Sequence, residues 1–217
     1  MLPHAALERR LGHPFANAAL LEQALTHRSA GAQHNERLEF LGDGVLGCVI
    51  AQELYARFPE LPEGKLTRLR AELVRKEALS ELGQALGIAP AVRIGGGAAL
   101  TASIVADAVE AVFGAVFLDA GYAVARQVIS AAYADLLAGI DPSAVRKDAK
   151  TELQELMHAR RKHLPEYRLA AEKRGPKANL FEVVCVLADL GLTSRGSGAS
   201  RQQAEQEAAL AMLEQLK

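Results

Sequence analysis

The stretch His34-Asn35-Glu36-Arg37-Leu38-Glu39-Phe40-Leu41-Gly42-Asp43, running on through Val45 and Leu46, sets the architecture and chemistry of this chain. The apolar residues recur at three- and four-residue spacing, which predicts a helix from Asn35 to Arg57, stopped by Pro59 and Pro62. On that helix Glu36, Glu39 and Asp43 stand at i, i+3 and i+7, so three acids share one face. Like charges so placed repel one another unless solvent or a cation intervenes.

A second acidic pair, Asp107 and Glu110, lies in Ser103–Leu118, a run apolar enough to predict a buried helix. From Ile94 to Ala125 there is no Lys or Arg. An ionised carboxylate buried without a partner costs several kcal/mol, so these acids must neutralise, reach water or find a cation. Were the two helices packed together, Glu39, Asp43, Asp107 and Glu110 would form an all-oxygen nest suited to Mg²⁺ or Mn²⁺. A capping box, with Asp107 as N-cap and Glu110 closing it, explains the second pair equally well from spacing alone.

The apolar periodicity extends from Leu20 to Leu137, with further helices predicted over Leu66–Leu86 and Ala123–Leu137. Without alternating β-branched runs, this part reads as all-helical. Gly139-Ile140-Asp141-Pro142-Ser143 breaks the pattern, so a first domain is expected over residues 1–140, a linker over 141–147 and a second domain over 148–217. There the grammar changes to a helix over Asp148–Arg161, a strand-like run over Glu182–Ala188 and turns at Gly191-Leu192 and Gly196-Ser197-Gly198 around another strand. An alanine-rich helix with Ser200 as N-cap closes the chain. The second domain is therefore a small α+β unit.

Composition excludes several classes. Of the 217 residues 50% are hydrophobic and 24% charged, which fits a globular chain and not a disordered or fibrous one. Residues 1–147 hold 14 Lys and Arg against 16 Asp and Glu, and residues 148–217 hold 11 against 10, so neither half is a uniformly basic nucleic-acid binder. Cys48 and Cys185, far apart in apolar runs, are expected to be two buried thiols in a reducing compartment rather than a disulfide or zinc framework. The first residues lack signal-peptide order, and Asp107 and Glu110 disqualify Ala102–Leu118 as a membrane span, so a cytoplasmic protein with no membrane partner is expected. Gly95-Gly96-Gly97 lacks the Lys-Ser/Thr of a phosphate loop, and the six histidines show no paired metal spacing. Arg160-Arg161-Lys162-His163 reads as a solvated helix end, with phosphate contact as the alternative.

Asn35-Glu36-Arg37-Leu38-Glu39-Phe40-Leu41-Gly42-Asp43 with Val45-Leu46 resembles the signature of the bacterial ribonuclease III family, and Ser103–Ala111 resembles that family's second acidic motif. Glu63-Gly64 followed by Arg68-Leu69-Arg70-Ala71 resembles the pattern between them. The resemblance implies an all-α endonuclease domain followed by an α-β-β-β-α double-stranded RNA-binding domain. The implied activity is Mg²⁺-dependent cleavage of double-stranded RNA by a homodimer, with Mn²⁺ able to substitute. Its products would have 5′-phosphate and 3′-hydroxyl ends with two-nucleotide 3′ overhangs, and ribosomal and other RNA precursors are the family's substrates. Glu39, Asp43, Asp107 and Glu110 match the metal-binding acids, with Asp43 and Glu110 taken as catalytic. Glu36 and Glu63 match supporting acids, and Phe40 an aromatic that enters a socket on the partner subunit.

In the second domain, Lys150–Glu155 resembles the opening of a double-stranded RNA-binding domain, in which Thr151, Gln154 and Glu155 would face a minor groove. Gly175–Phe181, with Lys177, resembles its first inter-strand loop. Gly196–Glu205 resembles its phosphate-clamping helix start, with Ser200, Arg201, Gln202 and Gln203 toward RNA. This chain has Ala178 where the loop carries a histidine, and only Arg201 where the helix opens with two or three basic residues. Weaker and less salt-sensitive binding than the family norm is expected. Two rivals stand beside this reading: a non-catalytic RNA-binding protein keeping the acids as scaffold, and a DNA nuclease with a similar metal site.

Overall fold

The computed structural model describes residues 4–141, 148–174 and 179–217, so the linker expected at 141–147 lies, Asp141 apart, outside the described residues, as does Lys177. The chain divides into two compact units, Met1–Val145 and Arg146–Lys217. The all-α unit followed by an α+β unit agrees with the expected fold class.

The first unit comprises α1 (Ala5–Leu11), α2 (Ala18–Ala24), α3 (Glu36–Arg57), α4 (Glu63–Val74), α5 (Lys76–Leu86), α6 (Ala102–Ala132) and α7 (Ala134–Ala138). Its centre is the packing of α3 on α6: Leu46, Val49 and Ile50 are sealed from solvent, as are Val109, Val112, Phe113 and Val116. Two glycines allow these helices to touch backbone to backbone. A Cβ on Gly42 would stand 1.7 Å from the Glu110 carbonyl oxygen, and one on Gly114 would stand 2.3 Å from that of Leu38. Helices with ordinary side chains at the contact keep their axes ~8–10 Å apart. Here Gly42 follows Glu39 by three positions and precedes Asp43, so the closest crossing coincides with the acids.

Three expectations for this unit need correction. The helix predicted over Leu66–Leu86 is two helices, α4 and α5, separated at Arg75, whose backbone is extended (φ −65°, ψ 152°). The break is compensated: Tyr133 donates from its hydroxyl to the Leu73 carbonyl at 3.3 Å, and Arg75 pairs with Glu72 and Glu77. The helices expected over Ser103–Leu118 and Ala123–Leu137 do flank a break, the non-helical backbone of Gly121 inside α6 (φ 78°, ψ 177°), but the second is itself interrupted at Tyr133, between the end of α6 and α7. Cys48 is exposed on α3, its thiol 3.5 Å from the Tyr122 hydroxyl, and only Cys185 is buried; both are free. Ahead of the region read as helical, α1 ends at Gly12 in the left-handed conformation. The loop after it is tied to α6 by Asp119, which accepts from the Ala16 and Asn17 amides and bonds the His13 ring at 2.9 Å.

The second unit runs α8 (Ala149–Ala159), β1 (Glu166–Arg174), β2 (Asn179–Leu187), β3 (Leu192–Gly198) and α9 (Arg201–Gln215), the strands forming an antiparallel sheet in the order β1-β2-β3. Val183, Cys185 and Leu187 alternate inward from β2 onto Leu153 and Met157 of α8 and Ala204, Ala208 and Met212 of α9. Gly196 brings β3 against α9, where a Cβ would meet the Ala208 nitrogen at 2.1 Å. The sequence reading did not locate β1. It is an edge strand reading Glu-Tyr-Arg-Leu-Ala-Ala-Glu-Lys-Arg, and exposed charge replaces the apolar alternation. Arg160, Arg161 and Lys162 remain exposed beyond α8, and His163 is held by Asp189 through its backbone amide and ring.

Candidate metal centre and RNA-binding surface

The α3–α6 crossing assembles the acids. Carboxylate oxygens of Glu39, Asp107 and Glu110 lie within 4.8 Å of one another, all three residues half-buried. A cleft of about 540 Å³ beside them is lined by Glu36, Glu39, Phe40, Asp43 and Glu110. Asp43 is exposed on that lining and is not among the three in mutual reach. The capping-box explanation of Asp107 and Glu110 fails, because Thr101 caps α6, accepting from the Ile104 amide at 3.3 Å, and Asp107 lies in the second turn.

The electrostatics are those of an acid cluster short of positive charge. Burial, and then the charges of Asp43, Glu39 and Asp107, push the Glu110 carboxyl up to about 7. Burial, with Asp107 next, also raises Glu39. Opposing them is Lys76, absent from the sequence reading because it arrives from the start of α5; its Nζ stands 3.4 Å from Asp107 and 3.0 Å from the Ser103 hydroxyl. Lys76 remains 64% exposed, so its charge is screened by water. Half-buried, all-oxygen donors with unfavourable mutual repulsion fit a hard divalent cation.

The other assigned residues of this unit fall in different places. Glu36 is exposed and pairs with Arg28 at 3.3 Å and His34 at 3.6 Å. Glu63 is apart from the acid cleft within one chain: it accepts from the Thr67 hydroxyl at 2.7 Å and lines a separate cavity with Ala51, Leu54, Tyr55, Leu66 and Arg70. Phe40 is no core residue, being 83% exposed.

In the second unit Asp148 caps α8, accepting from the Thr151 amide at 2.9 Å and from its hydroxyl at 3.1 Å, while Gln154 and Glu155 are exposed. Ser200 caps α9: the Gln203 backbone amide donates to the Ser200 hydroxyl at 3.2 Å, and the Gln203 side chain reaches back to accept from the Ala199 backbone amide at 3.0 Å. Their polar atoms are thus partly engaged in holding the helix end, although Ser200, Arg201, Gln202 and Gln203 are all exposed. Among the described residues, no helix is long and apolar enough to cross a membrane.

Comparison with known proteins gives matches along the chain. The family described as Ribonuclease-III-like matches residues 17–137, and the double-stranded RNA binding motif matches residues 149–216. A Ribonuclease 3 from Thiobacillus denitrificans is 51% identical over 94% of this chain and 93% of its own length. One from Bordetella avium is 50% identical over 97% of this chain and 86% of its own. Among solved structures, a nuclease domain of ribonuclease III from Campylobacter jejuni, described for flexibility in a region involved in dimer formation, is 34% identical with a TM-score of 0.59. That match covers 61% of this chain and 96% of the other. The helical unit with its acid cluster and the following α+β unit thus have one common explanation: the chain belongs to the ribonuclease III family of endoribonucleases and carries that family's nuclease domain ahead of a double-stranded RNA-binding domain.

Proposed function

We propose that this chain hydrolyses phosphodiester bonds of double-stranded RNA in the presence of Mg²⁺, with Mn²⁺ able to substitute. The observation that carries the reading is the convergence of Glu39, Asp107 and Glu110 within 4.8 Å beside an acid-lined cleft. These three residues would hold the ion, with Asp43 contributing from the exposed side of the cleft. Burial and mutual repulsion hold the Glu39 and Glu110 carboxyls above their ordinary range, and a bound cation would oppose that shift. Lys76 offsets part of the charge on Asp107. A bound divalent cation would supply charge stabilisation at the scissile phosphate and assist deprotonation of the attacking water.

The products would be 5′-phosphate and 3′-hydroxyl ends with two-nucleotide 3′ overhangs, and the transcripts ribosomal and other RNA precursors. A homodimer would cut both strands. The exposed ring of Phe40, and the separate cavity that holds Glu63, support docking of a second copy. Residues 1–140 would form the nuclease domain, 141–147 the linker and 148–217 the domain that presents Thr151, Gln154, Glu155, Lys177, Ser200, Arg201, Gln202 and Gln203 to RNA. We assign the protein to the cytoplasm, where an RNA substrate and two free thiols both fit.

The test is cleavage of a long double-stranded RNA in Mg²⁺ by the wild type and by Glu110→Gln, which keeps shape and removes the charge. The wild type is expected to produce duplexes with two-nucleotide 3′ overhangs. The variant is expected to bind RNA and cut at least about 100-fold more slowly. Binding without cutting by both proteins, across a range of Mg²⁺ and Mn²⁺ concentrations, would overturn the reading.

A further inference from the structure

The ends of α8 and α9 that bear the RNA-facing residues are joined through one acid, Glu205, whose side chain is only 12% exposed. Each of its oxygens takes one cation. Oε2 accepts from Lys150 Nζ at 2.5 Å, and Oε1 accepts from Arg201 Nε at 2.9 Å. The two cations are not equivalent. Lys150 is 26% exposed, and its Nζ also stands 4.8 Å from the centre of the Tyr167 ring, so it is enclosed within the domain. Arg201 is 60% exposed and is gripped through Nε, the inner nitrogen of its guanidinium. Beside this junction the Gln206 side chain donates to Asp148, the N-cap of α8. Burial would raise the Glu205 carboxyl, yet the bonds from Lys150 and Arg201 outweigh it and hold the group below the usual carboxylate range.

We infer that Glu205 is the positioning residue of the RNA-binding surface: it grips Arg201 by Nε so that the terminal nitrogens are presented to a phosphate, and through Lys150 it fixes α8 against α9. The inference rests on the proposed RNA-facing role of Arg201. An arginine held in one orientation loses less freedom on meeting phosphate than a free one, and its fork matches two phosphate oxygens. In a helix start with a single basic residue, that orientation compensates for missing charge. Simple electrostatics gives the opposite expectation, because an acid near a polyanion should weaken binding and its removal should tighten it.

The full chain is titrated with a short RNA duplex, divalent ions chelated to prevent cutting, over a salt series, and melting temperature is followed for every variant. Arg201→Ala should weaken binding about fivefold and reduce the salt slope by about one. Glu205→Ala should weaken binding by a similar factor despite deleting a negative charge. The double variant should lose less than the product of the two single losses, since the grip on Arg201 can be removed only once. Glu205→Gln keeps an acceptor for Nε and should stay within about twofold of the wild type; this arm decides the matter if Glu205→Ala melts early. Tighter binding by either Glu205 variant, or additive losses in the double variant, would overturn the inference while leaving Arg201 on the RNA surface. If Arg201→Ala changes neither affinity nor salt slope, the RNA-facing assignment itself falls, and the inference with it.

Discussion

The two units hold their functional side chains in opposite ways. In the nuclease unit the acids are fixed from behind by a core: two helices meet at Gly42 and Gly114, and burial forces Glu39 and Glu110 into mutual reach of Asp107. In the RNA-binding unit the groups proposed to face RNA sit at helix starts, held by caps and ion pairs: Asp148 on Thr151, Ser200 on Gln203, and Glu205 on Lys150 and Arg201. Core packing tolerates almost no displacement, whereas a pair with an exposed partner, such as Arg201 on Glu205, contributes little stability and is screened by salt. Chemistry at a phosphorus needs the first kind of support; reading the shape of a duplex is served by the second.

The sharpest way to break that contrast is to close the glycine contacts one unit at a time. Gly42→Ala drives a methyl into the Glu110 carbonyl and should cost about 3 kcal/mol or more in thermal or urea unfolding of the first unit. Displacing Glu39 and Asp43 from Glu110 by even ~1 Å should lower kcat about 100-fold, with RNA binding by the second unit retained. Gly196→Ala, which meets α9 at the Ala208 nitrogen, should do the reverse: weakened RNA affinity and a raised KM, with kcat preserved at saturating RNA. Equal loss of kcat from both substitutions would contradict the division of labour.

A smaller effect comes from pH. The folded value for Glu110 stands near 7 and its ordinary value near 4.5, so between these the folded chain binds more protons than the unfolded one. Its contribution to stability is full below about 4.5 and is lost as pH rises through 7. Metal-free Glu110→Gln should therefore gain on the wild type at pH 8 by about 1 kcal/mol, allowing for water screening, and lose that advantage at pH 4.5. Denaturant midpoints at the two pH values check it, and Mg²⁺ should restore the wild type alone. No comparable pH signature is expected from Thr151→Ala.

The smallest effect sharpens the other side of the comparison. Gln202 is exposed in the first turn of α9, so Gln202→Arg should add about one to the salt slope of RNA binding and tighten it a few-fold at low salt. Its melting temperature should not move. A slope unchanged by the new charge would place this turn away from the phosphates.

What could be read in the sequence follows the same division. The acids of α3 were visible because a helix repeats every 3.6 residues and Glu36, Glu39 and Asp43 keep that period. The apolar run of Ser103–Leu118 was visible for the same reason, as was Ser200 at the start of α9. Spacing on one helix is silent about a second. Nothing local says that Gly42 meets Glu110, that Lys76 crosses from α5 to Asp107, or that Glu63 faces a different cavity. Exposure was misjudged for Cys48 because an apolar neighbourhood on a helix also describes a face left uncovered within one chain. The break at Arg75 depends on Tyr133, which is distant in sequence, and β1 was hidden because an edge strand carries charge where a central one carries valine.

The contact at Gly42 has a consequence for anyone who would transplant this site. Glu110 offers its carboxylate to the cleft and its main-chain oxygen to the opposite helix, so the residue proposed to hold the cation also sits at the helix crossing. A scaffold given the four carboxylates but an alanine at either crossing position would carry the right letters at the wrong separation. The proposed site therefore depends on Gly42 and Gly114, which carry no functional group, as much as on the four acids.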